Sequence, residues 1–187
     1  MLPAVDVEAV QLFTSLLALV AGAGAVALAA ARVAARSSAS LASFVAAIDD
    51  VALWLAFLVA ATATAGSLYY SEHAHFIPCN LCWYQRIAMY PLSLLLLIAA
   101  IRRDCAVRWY VGPLAGAGAV ISTYHYLVEW FPSLERSDVC SLNVPCTTPW
   151  FRELGFVTLS FMALCGFLFI LVLVVHRRPS AVPSEAP

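Results

Sequence analysis

Four cysteines in two pairs carry the spacing of thiol–disulfide chemistry. Cys79-Asn80-Leu81-Cys82 is a CxxC, and Cys140 is followed six positions later by Cys146. The short loop between Cys140 and Cys146 can bring their Cα atoms to the ~5.5 Å that a disulfide requires. Two adjacent pairs can exchange through a mixed disulfide, one pair becoming oxidised as the other is reduced. Pro78 precedes Cys79 and apolar periodicity begins just after it, which predicts that Cys79 and Cys82 occupy the first turn of a helix. Free backbone N–H groups and the positive end of the helix dipole stabilise a thiolate there. Arg86 follows Cys82 by four residues and so shares its helical face. Its fixed charge adds to that stabilisation and can hydrogen-bond a carbonyl oxygen of a ligand at the membrane interface.

Taken residue by residue, other readings stay open. The CxxC can be a structural disulfide, and Arg86 an interfacial side chain that snorkels. His73 and His75, with Cys79 and Cys82, make a possible metal set. A c-type haem attachment is excluded, because Trp83 stands where a histidine must follow the second cysteine. The second pair can be a plain loop staple, although its loop, polar at Glu135, Arg136 and Asp138 and apolar at Val144, Pro145, Trp150 and Phe151, can also lie on a membrane and expose a sulfur. Cys105 and Cys165 fit no relay: the first falls in an arginine-rich loop and the second mid-span, both expected as free thiols.

The elements that must position these residues are membrane helices. The chain has 187 residues, 63% hydrophobic and 11% charged, with mean hydropathy +0.89. A soluble domain carries about 25% charged residues, so this chain has too little polar surface to cover itself in water. Net charge is −1, which gives nucleic-acid binding no electrostatic support. Five apolar runs are expected to span the bilayer: residues 10–31, 51–71, 87–101, 109–128 and 154–175. A span needs about 20 residues. The third run is short because Arg86 bounds it, and it reaches normal length if its helix continues outward through Cys82.

All ten basic residues are arginines, and seven of them lie on one side of this arrangement: Arg32, Arg36, Arg102, Arg103, Arg108, Arg177 and Arg178. The positive-inside rule makes that side cytoplasmic. The N-terminus, with Asp6 and Glu8, and both cysteine pairs are then extracytoplasmic, where disulfides persist, and the C-terminus is cytoplasmic. Ala29-Ala30-Ala31 also permits reading the first run as a cleaved signal peptide, but no positive charge precedes it and the run exceeds a usual signal core. Residues 37–40 read as a loop and 179–187 as part of a disordered tail.

Pro78-Cys79-Asn80-Leu81-Cys82-Trp83-Tyr84-Gln85-Arg86 resembles the signature of the DsbB-type disulfide bond formation proteins, including their BdbC-like branch. Tyr124-His125-Tyr126-Leu127, with Pro132 beyond it, resembles the family's approach to its second extracytoplasmic loop. The resemblance covers residues 48–176. It implies a four-helix transmembrane bundle in a bacterial inner (plasma) membrane, preceded here by one additional N-terminal transmembrane helix. The expected units are thus residues 1–47, the redox bundle 48–176 and a cytoplasmic tail 177–187.

The resemblance also implies an activity. Such proteins reoxidise a soluble thioredoxin-like, DsbA-type thiol oxidase and pass the electrons to a membrane quinone, ubiquinone or menaquinone. On that pattern Cys140 is attacked by the partner, Cys146 passes electrons to Cys79, and Cys82 faces the quinone with Arg86 and His125 beside the ring. Two departures stand out: the extra N-terminal span, and a second pair closer in sequence than in the enterobacterial type, as in the BdbC-like branch. The rival readings are a vitamin K epoxide reductase-type relay, in which loop cysteines precede the CxxC rather than follow it, and a disulfide-stapled membrane scaffold without turnover.

Overall fold

The computed structural model describes residues 6–104, 106–136, 139–140 and 144–175. Among them the chain forms five α-helices and no named strand: α1 Val7–Ala34, α2 Ala39–Glu72, α3 Asn80–Arg102, α4 Arg108–Trp130 and α5 Leu159–Val175. Three of these, α1, α2 and α3, are long and apolar enough to cross a membrane, and α5 is a shorter apolar helix of 17 residues. Cys105, Asp138, Arg177, Arg178 and the tail 177–187 lie outside the described residues.

The helices depart from the apolar runs at identifiable places. α2 begins at Ala39, so the loop expected at residues 37–40 is cut short after Ser38, and residues 41–50, outside the apolar runs, are helix as well. Ser38 starts it, and only a tight turn separates it from α1. Asp49, which with Asp50 precedes the second apolar run, is not at a helix end. It sits mid-helix, buried, and its carboxylate accepts from Arg32 Nη2 at the end of α1 at 2.5 Å. The pairing lets a charge remain on an inward face.

The fifth run also breaks. Residues 154–158, expected within a span, form a tight turn in which Glu153 and Val157 exchange backbone hydrogen bonds, both 2.9 Å. Gly155 has φ +81°, a left-handed conformation that favours glycine, and Leu154 adopts φ 51° beside it. α5 therefore starts only at Leu159.

α2 packs on α3, α3 on α4, α4 on α5 and α5 back on α2, while α1 lies outside, against α5 and α2. Phe167, Leu92, Leu96, Ile170 and Leu173 fill the centre and are fully buried. Gly118 allows α4 and α5 their close approach: a Cβ there would meet the Phe167 ring at 2.3 Å. The N-terminal ends of α3 and α5 and the C-terminal ends of α2 and α4 meet at one end of the assembly. That end carries both cysteine pairs, while Arg32, Arg36, Arg102, Arg103 and Arg108 lie at the other.

Candidate active site

Cys79 is the N-cap of α3. Its backbone is extended, and its sulfur accepts from the Cys82 N–H at 3.3 Å, the position a serine or aspartate oxygen usually takes. The helix therefore continues through Cys82 and past Arg86, as the length of the third span required. The two sulfurs stand 2.8 Å apart. The hydrogen bond from Cys82 holds the Cys79 thiol well below the ordinary thiol range; burial opposes it, and His125 adds to it. Thiolate character at Cys79 is thus built from its immediate neighbours, with the helix terminus behind them.

His125 reaches this pair from α4. Its Nε2 lies 3.7 Å from Cys79 Sγ and 3.8 Å from Glu129 Oε1, while Gln85 Nε2 donates to its Nδ1 at 3.3 Å. Because Gln85 occupies Nδ1, the proton of the neutral imidazole sits on Nε2, the nitrogen that faces the thiol and the carboxylate. Glu129 is buried and also accepts from Thr158 Oγ1 at 2.6 Å, and Thr158 in turn contacts Ser160 Oγ at 2.9 Å. A polar chain thus runs from Cys79 through His125 and Glu129 to the start of α5.

The loop pair closes over this group. Cys140 and Cys146 form a disulfide with Cα atoms 5.9 Å apart. With Cys79, Leu81 and Val128 they make one buried cluster. Asn80 Nδ2 donates to Val139 O at 2.9 Å, and Cys146 N donates to Glu135 Oε1 at 3.1 Å. These bonds fold the loop down, so the expectation of an exposed sulfur is not met: Cys140 is 7% exposed and Cys146 1%. Farther along, Trp150 stacks on Phe76 with ring centroids 4.7 Å apart and donates to Ile77 O, tying the loop to the segment before the CxxC.

On its other side Cys82 lines a cavity of about 340 Å³. Arg86 lines it too; its Nη2 donates to Ser67 O at 3.2 Å and its guanidinium lies over the Trp83 ring. Gln85, Ser67, Tyr70 and Tyr90 complete a polar end, and aliphatic and aromatic side chains form the rest. Cavities of this size and mostly apolar lining suit small molecules held by a few polar groups.

Of the residues singled out from the sequence, Cys79, Cys82, His125, Cys140 and Cys146 come together, and Arg86 shares the cavity with Cys82 rather than touching His125. The histidines of the metal alternative do not join them. Among the described residues, the potential ligand atoms that converge at the CxxC are those of Cys79, Cys82 and His125, without His73 or His75. Gln85 is legible in the sequence only as part of the motif and Glu135 only as a polar loop residue, while Glu129 and Thr158 carry no signal of a role there. Only the four-residue spacing of His125 and Glu129 hinted at a shared helix face.

The arrangement can shuttle electrons between a loop disulfide and a buried dithiol, and from the dithiol to a ligand in the cavity. Comparison with known proteins agrees with the chemistry. Over 122 residues the chain is 46% identical to "Disulfide bond formation protein C" of Bacillus subtilis (strain 168), covering 65% of this chain and 88% of that protein. It is 44% identical over 124 residues to "Probable disulfide formation protein C 1" of Bacillus anthracis, 66% of this chain and 89% of that protein. It is 43% identical over 125 residues to "Probable disulfide formation protein" of Oceanobacillus iheyensis, 66% and 85% respectively. No solved structure matches it. Residues 49–176 match the family model described as "Disulfide bond formation protein DsbB". With a CxxC at a helix start, a second pair packed on it and helices made for a bilayer, the chain belongs to the DsbB family of disulfide bond formation proteins and is a disulfide-forming membrane oxidoreductase.

Proposed function

We propose that this protein reoxidises a soluble, extracytoplasmic, thioredoxin-like thiol oxidase of the DsbA type and delivers the electrons to a membrane quinone. The observation that carries the reading is the position of the CxxC. Cys79 is packed with the Cys140–Cys146 disulfide on one side, and Cys82 lines the cavity on the other. A relay needs that two-sided contact; a loop staple does not.

The residues define the steps. The partner's thiolate attacks Cys140, the less buried of the loop pair, and breaks the Cys140–Cys146 bond, leaving Cys146 as thiolate. The partner's second thiol then resolves the mixed disulfide, departs oxidised and leaves Cys140 reduced. Cys146 next attacks Cys79 of the oxidised CxxC and releases Cys82 as thiolate. Cys140 resolves the Cys146–Cys79 bond, which restores the loop disulfide and leaves the CxxC reduced. His125 Nε2 stabilises Cys79 as the thiolate released in that last exchange, and Arg86 stabilises Cys82 and orients the acceptor. A quinone supplies the final chemistry by taking up two electrons and two protons as the Cys79–Cys82 bond re-forms. The acceptor in this reading is ubiquinone or menaquinone. An oxidase poised near about −120 mV needs an acceptor above the glutathione pool, and a lipid-soluble acceptor is available where Cys82 sits.

In this reading all five helices span the inner membrane of a bacterium. The cysteine-bearing end is extracytoplasmic and the arginine-bearing end cytoplasmic. The test is quinone reduction by the purified protein in detergent, with a reduced thioredoxin-like dithiol as donor. Wild-type turnover is expected, with none from Cys79→Ser, Cys82→Ser or Cys140→Ser. Failure of the wild type with both ubiquinone and menaquinone would favour a disulfide-stapled scaffold instead.

A further inference from the structure

Resting on that quinone reading, we infer that α1 is the tail-side wall of the acceptor cavity: a helix outside the family-matched residues 49–176 completes the site that holds a polyprenyl quinone.

The cavity is graded along its length. Cys82, Arg86, Gln85, Ser67 and Tyr70 surround one end, and Leu58, Val59 and Phe169 lie at the other. From Tyr70 to Leu58 is about 18 Å along α2 at the helical rise per residue. A slot with hydrogen-bonding groups at one end and hydrocarbon along the rest matches a quinone ring carrying an isoprenoid tail. α1 supplies one flank of it. Thr14 lies level with Tyr70, and Leu17, Ala18, Val20 and Ala21 continue inward beside the apolar part. In the absence of α1 this flank would open between α2 and α5 towards lipid.

α1 is also docked firmly enough to act as a wall. Thr14 Oγ1 and Tyr70 OH share a 2.7 Å hydrogen bond at the polar end. Ser15 is fully buried, and its hydroxyl donates to Met162 Sδ of α5 at 3.6 Å. Deeper down, Gly22 lies so close to α5 that a Cβ would meet Cys165 Sγ at 2.9 Å, which gives Cys165 its packing role. The small side chains Ala18 and Ala21 leave the slot its width on the α1 side.

The direct experiment is photolabelling of the full chain in liposomes with a quinone analogue that carries its photoreactive group on the tail. No basic residue precedes Arg32, so trypsin releases α1 up to Arg32 as a single fragment. Label on this fragment that unmodified quinone displaces is the expected result. Displaceable label confined to α2, α3 and α5 would overturn the inference while leaving the acceptor reading intact. Label that quinone cannot displace, from a protein that also fails to reduce quinone, would overturn the acceptor reading and this inference with it.

A variant gives a second readout. Ala21→Phe narrows the slot and is expected to raise the apparent KM for a long-tailed quinone at least tenfold, with little change for a quinone lacking the tail. Val26→Phe, on an exposed face of α1 away from the cavity, should behave as the wild type. Equal KM values for both quinones in Ala21→Phe would overturn the assignment of α1 to the tail.

Discussion

His125 Nε2 lies 3.7 Å from the Cys79 sulfur, although 46 positions separate the two residues in sequence. The contact joins α4 to the cap of α3 and puts an imidazole proton where thiolate charge develops. A hydrogen bond to a charged group contributes about 1.5–3 kcal/mol, equivalent to roughly one to two decades in a rate or equilibrium. His125→Ala should therefore slow exchange between the two cysteine pairs by about 10–100-fold, measured by rapid-quench trapping of the mixed disulfide.

The same contact sets a pH dependence. The pKa of Cys79 is depressed, so its thiolate is present above that lowered pKa and lost only as pH falls through it. In the reduced protein, iodoacetamide labelling of Cys79 should persist at pH values where an ordinary thiol, with pKa about 8.5, is protonated and inert. His125→Ala should move the midpoint of this profile upward. A downward shift or an unmoved profile would remove His125 from the role given to it.

Glu129 should prove to be a positioning residue. Its carboxylate accepts from Thr158 and faces the His125 Nε2. Glu129→Gln keeps an acceptor for Thr158 and should leave the melting temperature nearly unchanged, yet shift the Cys79 labelling midpoint. Glu129→Leu deprives the buried Thr158 hydroxyl of its acceptor and should destabilise the protein by about 1–3 kcal/mol. Thermal unfolding in detergent, run beside the labelling profile, separates the two effects.

Arg86 faces the cavity with Cys82 rather than the loop disulfide. Its loss should weaken acceptor binding more than chemistry. We expect Arg86→Ala to raise the apparent KM for quinone by about tenfold or more, with a smaller fall in kcat, on the same charged hydrogen-bond scale. Steady-state quinone reduction checks this, and unchanged quinone kinetics would contradict it.

Gly118 and Phe167 make a structural test independent of the redox site. A methyl at position 118 would overlap the buried Phe167 ring, so Gly118→Ala should cost about 1–3 kcal/mol. Adding Phe167→Leu should recover part of that loss, because the smaller side chain vacates the space. Thermal unfolding of the single and double variants measures the recovery.

Much of this protein is determined locally and can be read from its residues. The CxxC behind Pro78 starts a helix because proline is favoured at a helix start, and Arg86 follows on the face of Cys82 by helical periodicity alone. Membrane residence follows from a composition that cannot cover itself in water. Other features needed the fold. The second apolar run starts at residue 51, after Asp49 and Asp50, but Arg32, from another helix, pairs with Asp49 and α2 extends well ahead of both. The last helix starts late because Leu154 and Gly155 turn left-handed within an apolar stretch that hydropathy does not distinguish from helix. Glu129 gained a role only when α5 delivered Thr158 and α3 delivered Cys79 to the same end of α4. The place of α1 was decided in the same way, by Gly22 against Cys165 and Thr14 against Tyr70. Periodicity reports which residues share a face, but which face meets which partner is settled by packing among helices distant in sequence.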